Sequence, residues 1–133
     1  MLPLVCSDAS AVLFMFDLTR ETTLNSVKDW YRQARGFSKD ALAFLVGTKF
    51  DLFISLPPEH QNAVIKKARK YAAAMKAPLV FASARISINV KSLFKIVVAK
   101  LFGAKPAIQE FHQPNEPILE ITPYTPPEEE KEK

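Results

Sequence analysis

Leu42-Ala43-Phe44-Leu45-Val46-Gly47, followed at once by Thr48-Lys49-Phe50-Asp51, is the stretch that decides how this chain folds. Its six apolar residues do not alternate with polar ones, which suits a parallel strand covered on both faces. Two more runs of this kind flank it. Ala11-Val12-Leu13-Phe14-Met15-Phe16 is closed by Asp17, and Pro78-Leu79-Val80-Phe81-Ala82 is followed by Ser83-Ala84-Arg85. Each run ends in a polar turn.

Helical spacing fills the gaps. After the first strand a helix starts near Thr22 or Thr23, either of which can cap the free amides, and Gly36 ends it. It places Leu24, Val27, Tyr31 and Ala34 three and four apart. Pro57-Pro58 opens a second helix, a position that suits proline, with Val64, Ala68, Tyr71, Ala72 and Met75 on its apolar side. A last helix, from about Asn89 to Phe102, aligns Val90, Leu93, Phe94, Val97 and Leu101. Strand and helix alternating over short links predict an α/β fold with a parallel sheet and right-handed crossovers. Such sheets bind ligands at the carboxyl ends of their strands, where all three polar turns fall.

Composition bounds the rest. The 133 residues make one domain at most, and 48% hydrophobic content is enough for a core. Residues 1–103 hold 15 Lys/Arg against 7 Asp/Glu, whereas residues 104–133 hold 3 against 7 and six of the ten prolines. We therefore expect a globular part over 1–103 and a disordered or loosely attached acidic tail over 104–133. The single cysteine, Cys6, reads as a buried small apolar residue, and a reducing cytoplasmic setting is expected. No stretch approaches the roughly 18–20 apolar residues of a membrane span. The start lacks the character of a signal peptide, and Glu130-Lys131-Glu132-Lys133 has no cysteine to prenylate, so no lipid anchor is expected.

Other polar features read plainly. Lys66-Lys67-Ala68-Arg69-Lys70 is expected to be a solvated helix face rather than a nucleic-acid or membrane patch, because Ala68 belongs to the buried stripe. Of Trp30 and Tyr31, one is expected to cover the sheet and the other to lie at the rim. His60, His112 and Cys6 make no ligand spacing, so no metal site is assigned. Asp17 could be a phospho-acceptor of a receiver domain, but Lys49 and Ala84 do not match the partners that chemistry needs.

Taken alone, Thr-Lys-x-Asp recurs by chance. Placed after a strand, with Ser83-Ala84 after the next, it resembles the base-binding turns of Ras-superfamily GTPases. A carboxylate at Asp51 can accept two hydrogen bonds from guanine N1 and N2, which adenine does not supply, and the Lys49 stem can lie across the base. The resemblance implies that the Ala84 amide meets guanine O6, that Thr48 supports the loop and that Ser83, Ala84 and Arg85 close the pocket. The runs Met1-Leu2-Pro3-Leu4-Val5-Cys6, Phe14-Met15-Phe16-Asp17-Leu18-Thr19-Arg20, Thr23-Leu24-Asn25-Ser26-Val27-Lys28 and Trp30-Tyr31-Arg32-Gln33-Ala34-Arg35-Gly36-Phe37 are similar to the fungal septum-promoting GTPases. This similarity implies GTP/GDP as ligand and signalling in septation and mitotic exit from the spindle pole body. It also implies a protein-kinase effector and a two-part GTPase-activating complex.

Two departures stand out. Thr48 occupies the place of the family's usual asparagine. No Gly-x-x-x-x-Gly-Lys-Ser/Thr and no Asp-x-x-Gly occurs in the 133 residues. The resemblance therefore covers the C-terminal half of a three-layer nucleotide-binding fold, as three βα units. The phosphate loop, both switches and the magnesium ligands are expected only in a longer protein, and no catalytic residue is assigned here. The alternative is a non-catalytic interaction protein that keeps only an effector or scaffold surface.

Overall fold

The central strand forms where the apolar run predicts it, over Leu42–Thr48. This is a computed structural model, and it describes residues 11–37, 41–103, 108–113 and 116–121. Cys6 and the rest of the Met1–Cys6 run lie outside the described residues, as does the chain beyond 121. In order, the elements are β1 (Ala11–Asp17), α1 (Glu21–Phe37), β2 (Leu42–Thr48), a four-residue helix α2 (Phe50–Phe53) and α3 (Pro58–Met75). Then come β3 (Leu79–Phe81), α4 (Val90–Leu101) and β4 (Leu119–Glu120).

β1 pairs parallel with β2 from Ala11 opposite Leu42 to Asp17 opposite Thr48. β2 pairs parallel with β3 from Leu45 opposite Leu79. The expected order first, second, third is present, and helices cover both faces. On one face Leu24, Val27 and Ala34 of α1 and Val64, Ala68, Ala72 and Met75 of α3 bury against Phe14, Phe16 and Leu45. On the other, Leu93 and Ile96 of α4 bury against Phe44, Val46 and Val80. Gly47 permits one close approach in this packing: a Cβ there would meet Leu18 Cδ2 at 2.7 Å.

Two expectations change. The coil predicted beyond residue 104 is interrupted by β4, which pairs antiparallel with β3 through Leu79 opposite Glu120 and Val80 opposite Leu119. Pro117 comes just before this strand and costs it no ladder donor, while Ile118 and Leu119 are fully buried. Acidic, proline-rich composition hid a short apolar insert. The second change concerns α4, whose predicted stripe included Phe94 and Leu101. Phe94 is 61% exposed and Leu101 is also exposed, whereas Ile96, absent from that stripe, is fully buried. Met15, Val98 and Phe102 join Phe94 in an exposed apolar set among the described residues.

The cationic run on α3 is less solvated than composition predicts. Lys67 contacts Glu21 and Asn25 of α1. Arg69 grips Glu120, which is only 1% exposed, with an N–O distance of 2.7 Å. His112 Nδ1 lies 3.0 Å from the same carboxylate, and Arg69 also donates to the His112 carbonyl at 2.6 Å. Asn89 adds another tie, donating from Nδ2 to the carbonyls of Phe81 and Pro117 at 2.9 and 3.0 Å.

Candidate functional site

The parallel pairing brings the ends of β1, β2 and β3 to one edge, and side chains there join the three polar turns. At the end of β1 the Asp17 carboxylate accepts from the Thr19 amide at 2.8 Å and from the Thr19 hydroxyl at 2.6 Å. Its other oxygen lies 3.0 Å from Lys49 Nζ. Partial burial opposes ionisation of Asp17, but the two Thr19 hydrogen bonds and the Lys49 ammonium outweigh it and hold the carboxyl below its ordinary value. Asp17 therefore carries its charge at neutral pH, and Lys49 has a fixed anionic anchor.

Thr48 and Lys49 are set by backbone. The Thr48 hydroxyl donates to the Phe16 carbonyl at 3.0 Å, and the Leu18 amide donates to the Thr48 carbonyl at 3.1 Å. Lys49 adopts φ 64 and ψ 39, a left-handed conformation that costs a side-chain-bearing residue about 1–2 kcal/mol. That strain persists because the next residue is pinned. Phe50 and Phe53 are buried, and the Phe50 amide donates to the Ala82 carbonyl at 3.1 Å. The strained backbone turns Lys49 toward Asp17 and leaves Asp51 in the first turn of α2.

The end of β3 supplies the third component. Buried Ser83 donates from its hydroxyl to Asp51 Oδ1 at 2.8 Å. Ser83 and Ile88 exchange backbone hydrogen bonds of 3.1 and 2.9 Å, closing the turn that carries Ala84 and Arg85 at its exposed tip. Asp51 is thus oriented by one oxygen and keeps acceptor capacity on its carboxylate.

Of the residues singled out by sequence, Thr48, Lys49, Asp51 and Ser83 are drawn into one connected constellation. Ala84 and Arg85 flank it without joining its hydrogen bonds. Asp17 was legible only as a polar strand end; its pairing with Lys49 depends on strand register and carried no local signal. Thr23 behaves differently from the capping role expected of it. The helix begins two residues earlier, and the Thr23 hydroxyl accepts from the Asp17 amide at 2.8 Å and donates to the Arg20 carbonyl at 2.7 Å. It clamps the β1 turn. Tyr31 covers the sheet, its ring 5.7 Å from Phe14 edge to face, and Trp30 lies exposed, as expected.

Among the described residues no group of three His, Cys, Asp or Glu side chains could hold a metal ion. No described helix is long and apolar enough to cross a membrane.

Comparison with known proteins bears on this arrangement. The profile of the Ras family matches residues 1–102. Septum-promoting GTP-binding protein 1 of Schizosaccharomyces pombe is 58% identical over 120 residues, which are 90% of this chain and 61% of that protein. Ras-related protein Rab-3A of Homo sapiens is 34% identical over 92 residues, 68% of this chain and 39% of its own length. Ras-related protein Rab-22A of Mus musculus is 27% identical over 93 residues, 69% and 45%. The chain thus spans less than two thirds of the length of each of these relatives.

Proposed function

This chain belongs to the Ras family, and from that premise we propose that its strand-end constellation is the base-recognition half of a guanine-nucleotide site. Asp51 reads guanine N1 and N2, the Lys49 stem covers the base, Thr48 holds the loop, and Ser83, Ala84 and Arg85 close the pocket. The observation that carries this reading is the pairing of Ser83 with Asp51 at 2.8 Å. It leaves a carboxylate oriented beside an exposed turn whose amides can meet a carbonyl oxygen. Pre-set donors and acceptors of this kind discriminate by leaving the wrong base unpaired.

The role that fits is GTP-dependent signalling in septation, supported by 58% identity to a septum-promoting GTP-binding protein. In this reading a protein-kinase effector and a GTPase-activating complex are the partners, in the cytoplasm and at the spindle pole body. GTP and GDP are the ligands. The described residues do not fit a magnesium site, so we derive no hydrolytic step through the ion. The 133 residues also contain no Gly-x-x-x-x-Gly-Lys-Ser/Thr. Lacking about five hydrogen bonds to phosphate, at roughly 1.5 kcal/mol each, weakens binding by about 10⁵-fold. Weak, base-selective binding is the expected behaviour of these 133 residues.

The test is NMR titration of the whole chain with GDP, ADP and xanthosine diphosphate. GDP is expected to shift the amides of Lys49–Asp51 and Ala84 where ADP does not. Asp51→Asn is expected to shift that preference toward xanthosine, whose 2-oxo group can accept from the new amide. Equal responses to GDP and ADP, or an Asp51→Asn variant with unchanged preference, would show that Asp51 is not the reader. A non-catalytic interaction role would then be the better account.

A further inference from the structure

α1 and α3 lie side by side on one face of the sheet, and the seam between them changes character along its length. At one end Lys67 of α3 pairs with the Glu21 carboxylate and donates to the Asn25 side-chain oxygen of α1. One to two turns further along α1 the seam opens into a groove of about 370 Å³, lined by Lys28, Tyr31, Arg32, Tyr71, Ala74 and Met75. That volume falls within the roughly 300–1,000 Å³ of pockets that take small ligands or anchoring side chains.

The groove has a rigid aromatic wall. Tyr31 is fixed from below by Phe14, at 5.7 Å between ring centroids. Arg35 fixes it from the side, donating from Nε to the Tyr31 hydroxyl at 3.0 Å and standing 5.1 Å from its ring centre. An anchor already held in place loses little rotamer entropy when something packs on it. Ala74 is exposed and small, so among the described residues nothing fills its side of the groove.

Charge decides the kind of occupant. Lys28 and Arg32 stand exposed at the rim, one helical turn apart. The sequence holds no acidic residue from His60 through Gln109, so α3 brings no carboxylate to them beyond Glu59 in its first turn. Asp29, the nearest acid on α1, sits about 100° round the helix from Lys28; it is three residues before Arg32 but forms no ion pair with it among the described residues.

We propose that this groove docks an acidic peptide segment of a partner protein. One apolar side chain seats between the tyrosines and Met75, and flanking carboxylates pair with Lys28 and Arg32. α3 ends at Met75 shortly before β3 begins at Leu79, so the groove lies toward the amino ends of the strands. The polar turns occupy the opposite edge. A partner seated here leaves the strand-end constellation open, and the inference does not depend on what that constellation binds. The chain's own acidic tail is the poorer occupant: Glu120 docks on Arg69, which lies about 160° around α3 from Tyr71.

The test is fluorescence anisotropy of the full chain with a fluorescein-labelled peptide bearing one phenylalanine between pairs of glutamates. Binding is expected to weaken at least tenfold in Lys28→Glu/Arg32→Glu, and to weaken when glutamines replace the peptide's glutamates. Ala74→Trp, which fills the groove from an exposed position, is expected to abolish it, while Lys66→Glu is expected to change it less than twofold. Circular dichroism establishes that each variant is folded. Binding indifferent to both groove variants overturns the proposal. So does binding that appears only after residues 122–133 are removed, which would assign the groove to the tail. Self-association of the chain in sedimentation, lost in Ala74→Trp, overturns it in favour of a second copy.

Discussion

Replacing Arg69 with methionine removes the main partner of a carboxylate buried to 1% exposure, along with the 2.6 Å bond to the His112 carbonyl. Leaving a buried charge without its partner costs about 3–5 kcal/mol. What yields is set by the cheapest escape, which is release of β4 rather than unfolding of the sheet. Ile118 and Leu119 contribute about 1.5–3 kcal/mol each by burial. Ordering the backbone of residues 118–121 costs about 1–2 kcal/mol per residue, so these terms nearly cancel without the ion pair. Arg69→Met is therefore expected to detach the segment while the β1–β2 pairing survives. Hydrogen exchange reads this directly. The Leu119 amide, bonded to the Phe111 carbonyl at 2.9 Å, is expected to exchange about 100-fold faster, matching a loss of about 3 kcal/mol. The Leu45 amide is expected to keep its protection. Arg69→Met/Glu120→Met, which removes both charges, is expected to regain most of the lost protection. A Leu119 amide within threefold of wild type in the single variant would refute the reasoning, as would equal loss at Leu45.

Asp17→Asn is expected to destabilise the chain at neutral pH, because the native carboxyl is held below its ordinary value. That contribution is present above about pH 4 and disappears as pH falls through the depressed native value. Urea midpoints of wild type and variant should therefore converge in acid, and a constant gap from pH 7 to 2 would count against the Lys49 and Thr19 contacts. Gly47→Ala is expected to cost about 1–3 kcal/mol by driving a methyl group into Leu18; an unchanged urea midpoint would mean that the β2 backbone has slack there. Asn89→Ala, which removes the tie to Pro117, is expected to speed exchange of the Leu119 amide while the Leu18 amide, bonded to the Thr48 carbonyl at 3.1 Å, keeps its protection; unchanged exchange at Leu119 would count against that tie.

The three apolar runs were sufficient for the parallel part of the four-stranded sheet, because a strand covered on both faces needs no alternation and admits few other readings. Leu42–Thr48 and its parallel neighbours sit where that logic puts them. Thr48, Lys49, Asp51 and Ser83 were legible for the same reason: polar residues that end buried strands gather at one edge of a parallel sheet. Asp17 as the partner of Lys49 was not legible. Thirty-two residues separate them, and only the register of Asp17 opposite Thr48 makes them neighbours.

Sequence alone determined the three parallel strands, the three long helices, their order and the polar turns, since these rest on local periodicity and on strand ends that must turn. Tertiary structure decided which face of α4 is buried. Local period favours the stripe through Phe94 and Leu101, whereas contact with Phe44, Val46 and Val80 buries Leu93 and Ile96 and leaves Phe94 exposed. It also decided the fate of the tail. Composition reads as a sum over residues and cannot register that Ile118 and Leu119 meet an open strand edge, or that Glu120 meets Arg69 fifty-one positions earlier. Burial and pairing across such distances depend on where the fold places a surface, and no local pattern carries that information.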